Sequence, residues 1–215
     1  MNEQRRFDGS TMARRLLNRV ADRARDIMVT DVRIGLGYTA VKLADGRSGV
    51  AYTFRDQAQG GCCVFEGLRP LIGRSAADLV PLLESSDAIE AGLGLACVNA
   101  LVNRPEPTQS GGDILEHLDV RADDDVAMVG NFGPLVGPLQ QRARSLTIFE
   151  RVAAPTGVLR PQGEAIEALP CCTIALITAT SLINHTVDGL LEAARACRQV
   201  ALVGASTPLV ADVFE

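Results

Sequence analysis

Residues 124–142 read DDVAMVGNFGPLVGPLQQR. A short apolar run from Val126 to Val129 stops at Gly130, and a stretch with helical spacing opens at Pro134. The reading is strand, turn, helix. The unit then recurs, with apolar strands at 145–149, 173–178 and 199–203 alternating with helices near 134–143, 163–169, 186–197 and 208–214. Such alternation builds a parallel sheet, because parallel neighbours need a long crossover that a helix supplies. Val187, Leu190, Leu191 and Ala194 form the buried stripe of the helix after the third strand, with Thr186 as its cap. The back half is therefore expected to be a Rossmann-like domain, and the whole chain an α/β protein.

The front half has another rhythm. Residues 11–25 place Ala13, Leu16, Leu17, Val20, Ala21 and Ala24 on one helical stripe behind a Ser10 cap. Val32, Ile34, Leu36 and Tyr38 alternate as a half-buried strand, and the apolar parity switches near Thr39, which predicts a bulge or bend there. Asp45-Gly46 marks a hairpin turn into a second strand carrying Val50, Tyr52 and Phe54. Helices follow at 75–83 and 87–102, the longer capped by Asp87 or Ser86. Its face Gly92, Ala96, Asn99, Asn103 is small and polar, which permits a close approach. Arg104-Pro-Glu-Pro-Thr-Gln-Ser-Gly-Gly112 is the clearest linker. It sets two domains at 1–104 and 112–215.

Composition narrows the function. The 215 residues are 47% hydrophobic and 22% charged, as in an ordinary globular protein. With a net charge of -5, no Trp, two Tyr and dispersed arginines, nucleic-acid binding is disfavoured. No apolar run reaches membrane-spanning length, and Met1 to Asp8 lacks the apolar core of a secretory signal. The expected location is the cytoplasm, with thiols reduced. Cys62-Cys63 and Cys171-Cys172 are adjacent pairs, unlike the spacing of structural zinc ligands, so the cysteines read as small core residues. Lys42 is the single lysine and falls in a strand pattern away from the candidate site, which argues against Schiff-base chemistry.

Ligands of open parallel sheets bind beyond the carboxyl ends of the strands. In this chain those ends are Gly130-Asn131-Phe132-Gly133-Pro134, Phe149-Glu150, the Thr178 to Thr186 stretch and Gly204-Ala-Ser-Thr-Pro208. All are rich in glycine, hydroxyl, amide or carboxylate, and two lead into helix starts that favour an anion. Turn and cap duties explain each residue singly; the coincidence of four loops on one edge is what marks a site. Gly130-x-x-Gly133 followed by Glu150 has the spacing of a dinucleotide fingerprint but lacks its full glycine pattern. His117 reads as a surface residue, whereas His185 falls in the crevice and, with Glu150, is a candidate metal ligand. No nucleophile and base pair stands out.

Gly35-Leu-Gly-Tyr-Thr39, Val98-Asn-Ala100, Gly112-Asp-Ile-Leu-Glu116, Val129-Gly-Asn-Phe-Gly-Pro-Leu-Val136, Thr180-Ser-Leu-Ile-Asn-His-Thr186 and Val203-Gly-Ala-Ser-Thr-Pro-Leu209 span most of the chain. Together they resemble a bacterial and archaeal family of proposed heavy-metal chelatases. The resemblance implies an enolase N-terminal-like α+β domain followed by a Rossmann-like domain, with a ligand site between them and a role in metal- or corrinoid-related metabolism. By position it nominates Thr39 and Asn99 from the front, and Gly130, Asn131, Glu150, Thr180, Asn184, Thr186, Ser206 and Thr207 from the back. It also implies further chain after the Ser-Thr-Pro loop, so the second domain is expected to be shortened at Glu215.

Three functional readings follow. The first is chelation or handling of a metallocofactor, the partner being a metal ion, a transition metal for instance, or an anionic small molecule in the interdomain crevice. The second is an enzyme using NAD or S-adenosylmethionine, from the Gly130 to Glu150 spacing. The third is a non-catalytic small-ligand binder, since no catalytic group is visible. A homodimer is expected from the general frequency of such assemblies.

Overall fold

A computed structural model describes residues 10–57, 64–104 and 111–214. Cys62, Cys63 and most of the expected linker lie outside the described residues. The described chain divides into two compact units. One holds the residues up to Arg104, Leu182–His185 and those from Ala205 onward; the other holds those up to Ser181 and Thr186–Gly204. No helix among the described residues is long and apolar enough to cross a membrane.

The first unit opens with α1 (Met12–Arg25), whose buried stripe is Met12, Ala13, Leu16, Leu17, Val20 and Ala24. The cap is Thr11 rather than Ser10: its Oγ1 accepts the Arg14 N–H at 3.2 Å. Three antiparallel strands follow in the order β1-β2-β3: β1 (Val29–Ile34), β2 (Tyr38–Leu43) and β3 (Ser48–Tyr52). The parity switch near Thr39 is not a bulge in one strand. It is a tight turn between two strands, with the Gly35 N–H donating to Tyr38 O at 2.9 Å. Leu36 stands at the turn, 77% exposed, so its apolar character there has no packing role.

The expected inward face of β3 is also reversed: Gly49 and Ala51 are buried while Val50 and Tyr52 are exposed. The reason is α3 (Ala88–Val102), buried almost all round and capped by Asp87. A Cβ on Gly49 would lie 2.1 Å from Ala100 N and 2.3 Å from Ala96 O, so strand and helix backbones touch where the sequence puts glycine. Between β3 and α3 the expected 75–83 helix is α2 (Ala76–Leu79) continued as a 3-10 turn over Val80–Glu84.

Residues from Ala205 onward are laced onto this unit. Asn99 donates from Nδ2 to Val50 O (2.8 Å) and Ser206 O (3.0 Å). Ser206 Oγ accepts the Tyr52 N–H at 2.9 Å, and Asn103 holds Thr207 O (3.0 Å) and the Leu209 N–H (2.7 Å). The helix expected at 208–214 is only the turn α8 (Ala211–Phe214), preceded by a non-helical stretch in which Asn103 Oδ1 accepts the Leu209 N–H.

The second unit is a five-stranded parallel sheet in the order β6-β5-β4-β7-β8. After the short α4 (Ile114–His117) come β4 (Asp125–Val129), α5 (Gly133–Arg142), β5 (Ser145–Glu150), β6 (Leu159–Pro161) and α6 (Ala165–Ala168). Then follow β7 (Ile174–Thr178), α7 (Val187–Ala193) and β8 (Gln199–Val203). Val126 and Met128 of β4 face one core, with Leu135, Leu139, Ile148 and Leu176. Ala127 and Val129 face the other, with Phe149, Leu169, Ile177 and Leu190. Burial on both faces explains why β4, β5 and β7 read as apolar runs, while β8, at an edge, is only half-buried. The edge strand β6, with Arg160 and Pro161 half-buried, carried no such run. Thr186 occupies the N-cap position of α7 without a side-chain cap bond.

At the amino end of the sheet the Arg144 guanidinium and the Ser145 hydroxyl bind the Asp125 carboxylate and hold its carboxyl down at about 2. Such a carboxylate contributes stability above the ordinary Asp value, and the contribution is lost as pH falls toward 2. Asp125→Asn is therefore expected to cost about 1 kcal/mol at pH 7, after solvent screening, and almost nothing at pH 2, as read by denaturant titrations at both pH values. Gly49→Ala should destabilise by about 3 kcal/mol or more, since both backbones must move apart. Gly189→Ala, inside α7 with only Ile166 Cδ1 nearby at 3.6 Å, should stabilise by about 0.5–1 kcal/mol. Equal effects of these two glycine changes on Tm would contradict the packing described.

Candidate functional site

Strand order reverses between β4 and β7. From β4 the chain adds β5 and β6 on one side, then crosses to add β7 and β8 on the other. Crossovers on either side of such a point diverge, and this opens a crevice at the carboxyl ends. The residues there are Gly130 and Asn131 after β4 and Thr178 and Thr180 after β7.

Their arrangement is tight. Gly130 has φ +91°, and a Cβ on it would meet Thr178 Cβ at 3.0 Å, so glycine is needed for both backbone and space. Thr178 and Thr180 join their hydroxyls at 3.0 Å, and Ser181 Oγ donates to Thr178 O at 2.7 Å. These bonds fix the chain as it leaves β7 into a 3-10 turn over Ala179–Leu182.

Glu150, at the end of β5, braces the neighbouring loop. Its Oε2 accepts the Asn131 N–H at 3.0 Å and its Oε1 accepts the Arg151 N–H at 2.7 Å. Both carboxylate oxygens thus hold backbone donors, while Asn131 itself is exposed. The spacing from Gly130 to Glu150 therefore closes the loop between β4 and α5, a duty distinct from binding a ribose. α5 begins directly after that loop, its Phe132 N-cap providing no side-chain cap bond and Pro134 sitting in its first turn. A helix start of this kind favours an anion.

The remaining nominated residues stand elsewhere. In the first unit Thr39 is buried, its hydroxyl bonded to Thr53 Oγ1 at 2.9 Å. Asn99, at 0% exposed, and Ser206, also buried, belong to the net that laces the last residues of the chain to α3, and Thr207 joins it through Asn103. Asn99 Oδ1 accepts no hydrogen bond in that net. Asn184 is half-buried and His185 exposed. His185 adopts a left-handed φ of 57° and donates from Nε2 to Ser85 O at 2.9 Å. Thr186, exposed, starts α7 in the second unit. Thus the sheet edge gathers Gly130, Asn131, Glu150 and Thr180, and the first unit gathers Asn99, Ser206 and Thr207 into structural bonds.

Sequence reasoning underrated Thr178, Thr53 and Asn103. For Thr178 a signal existed: a hydroxyl residue closing an apolar strand beside a glycine-ended neighbour. The cysteines also depart from their expected role. Cys97 is buried, which pushes its thiol up to about 12, but Cys171 is exposed and Cys172 and Cys197 are half-buried, because all three precede their strands. Among the described residues no group of three or more His, Cys, Asp or Glu side chains is placed to hold a metal ion.

Known proteins share this architecture. A protein of unknown function from the DUF364 family of Pyrococcus horikoshii superposes with a TM-score of 0.82 at 21% identity, covering 95% of this chain and 83% of that one. Another, from Desulfitobacterium hafniense, gives 0.80 at 23% identity, over 94% and 81%. An uncharacterized protein of Methanocaldococcus jannaschii is 28% identical over 211 residues, 94% of this chain and 79% of its own. Family models match residues 17–102 (DUF4213) and 113–215 (DUF364), each under the description "Putative heavy-metal chelation". The chain belongs to the family that these two models describe, with DUF4213 in front and DUF364 behind.

Proposed function

We propose that this chain handles a metal in chelated form, or a related anionic small molecule, at the carboxyl edge of its parallel sheet. The observation that carries the reading is the meeting, at the strand-order reversal, of Gly130, two paired threonine hydroxyls and the start of α5. Backbone N–H groups at a helix start and hydroxyls beside a glycine suit the carboxylate or phosphate groups of a ligand. The side-chain donors at this edge (Glu150, Thr178, Thr180) are all oxygen, which soft heavy-metal ions bind poorly. Bare soft ions therefore do not fit this edge, and a ligand that brings its own metal coordination does. Family membership supports a metal-related role.

The test is thermal stabilisation by a panel of divalent metals, corrinoids and tetrapyrroles, with wild type compared against Asn131→Ala and Thr180→Val. A ligand present at a hundred times its Kd adds about 2.7 kcal/mol. For a chain of this size that raises Tm by about 5–10 °C. Each substitution is expected to weaken the effect by tenfold or more in affinity while leaving the unliganded Tm within about 3 °C. No shift with any member of the panel, or equal shifts in both variants, would refute the proposal.

A further inference from the structure

The amino edge of the same sheet carries a second grouping, of different chemistry. β7 and β8 pair in parallel register from Ile174 with Gln199 to Thr178 with Val203. Just before the strands begin, Thr173 O accepts the Arg198 N–H at 2.8 Å and the Gln199 N–H at 3.4 Å, which keeps the two chains side by side. The residues before these two are Cys172 and Cys197, each closing a 3-10 turn, over Leu169–Cys171 and Ala194–Ala196. Both side chains pack against the same buried cluster, which includes Ala165, Leu169 and Ala194. The two thiols are also anchored together: Cys172 Sγ donates to Ala168 O (3.4 Å) and Cys197 Sγ to Leu169 O (3.6 Å), consecutive carbonyls of one helical turn. Both side chains are half-buried and neither is in a disulfide.

We propose that Cys172 and Cys197 form a two-thiolate site for a soft monovalent cation, represented by Cu(I). Thiolates select such an ion over hard cations, and a d10 ion accepts two ligands without needing a third. On binding, each thiol releases its proton to solvent and two S–Cu bonds form, so the adduct carries one net negative charge. Without the ion, burial together with the charges of Cys197, Asp125 and Cys171 pushes the Cys172 thiol up to about 11. Burial likewise raises Cys197. The pair is therefore a protonated dithiol at neutral pH, slow toward oxidants, and a cation is needed to drive the protons off. The site lies the full length of the strands from Glu150 and Thr180, and it is independent of the ligand proposed there.

The experiment is anaerobic titration of the reduced full chain with Cu(I) against a chromophoric Cu(I) chelator, with alkylation mapping of the cysteines by mass spectrometry. Cys172→Ser and Cys197→Ser are each expected to lower affinity for one equivalent at least a hundredfold, while Cys171→Ser and Cys97→Ser leave it within threefold. Because two protons leave, affinity should rise about a hundredfold from pH 7 to pH 8. In the wild type, Cu(I) should protect Cys172 and Cys197 from alkylation and leave Cys171 reactive, a readout that needs no variant to fold. Protection centred on Cys62 and Cys63, or unchanged affinity in both Cys172→Ser and Cys197→Ser, overturns the assignment.

Discussion

The candidate site depends on a carboxylate used as a brace. Glu150 ends β5 and takes one backbone N–H on each oxygen, from Asn131 in the next loop and from Arg151 beside it. Charged acceptors make stronger hydrogen bonds than neutral ones, so the loop between β4 and α5 is held where Gly130 can pass Thr178 without a side chain. The start of α5 and the exposed Asn131 share that braced loop, and the threonine pair, held by its own bonds after β7, stands across the reversal of strand order. An acid at this spacing need not touch a ligand to matter. Its effect is exerted through the backbone it fixes.

Much of this was legible in the sequence. Strands buried on both faces announce themselves as apolar runs, which is why β4, β5 and β7 were readable; the edge strand β8 keeps such a run though only half-buried, and the three-residue β6, with its Arg and Pro, does not. The turn at Gly35 was mistaken for a bend because Ile34, Leu36 and Tyr38 keep a strand's alternation while standing exposed. In β3 the apolar residues Val50 and Tyr52 looked inward-facing, yet the inner face belongs to Gly49 and Ala51. Hydrophobicity could not reveal this, since the deciding factor is how near the α3 backbone comes. The site was legible as a set of strand ends. Which of those residues stay accessible was not: Asn99 and Ser206 are polar, as a ligand would require, but Asn99 donates from Nδ2 to the Val50 and Ser206 carbonyls and the Ser206 hydroxyl takes the Tyr52 N–H.

The two ends of the parallel sheet offer opposed chemistries. The carboxyl end presents oxygen-bearing side chains and the backbone N–H groups of a helix start. The amino end anchors two thiols to adjacent carbonyls, with the Arg144 and Asp125 brace on the neighbouring strands. The contrast follows from the parallel order: β7 and β8 start side by side, so a cysteine placed two residues before each comes to the same edge.

Lacing of Ser206 to Asn99 also bears on how the chain is made. These partners are 107 residues apart. At about 5–20 residues per second a ribosome needs roughly 5–20 s to travel that far. Through that interval the front unit lacks the segment that ties down β3 and the end of α3, so its edge is bare while the parallel sheet is being synthesised. The front unit is thus completed only after the parallel sheet has been made, because the partners of Tyr52, Asn99 and Asn103 are supplied by residues 206–209.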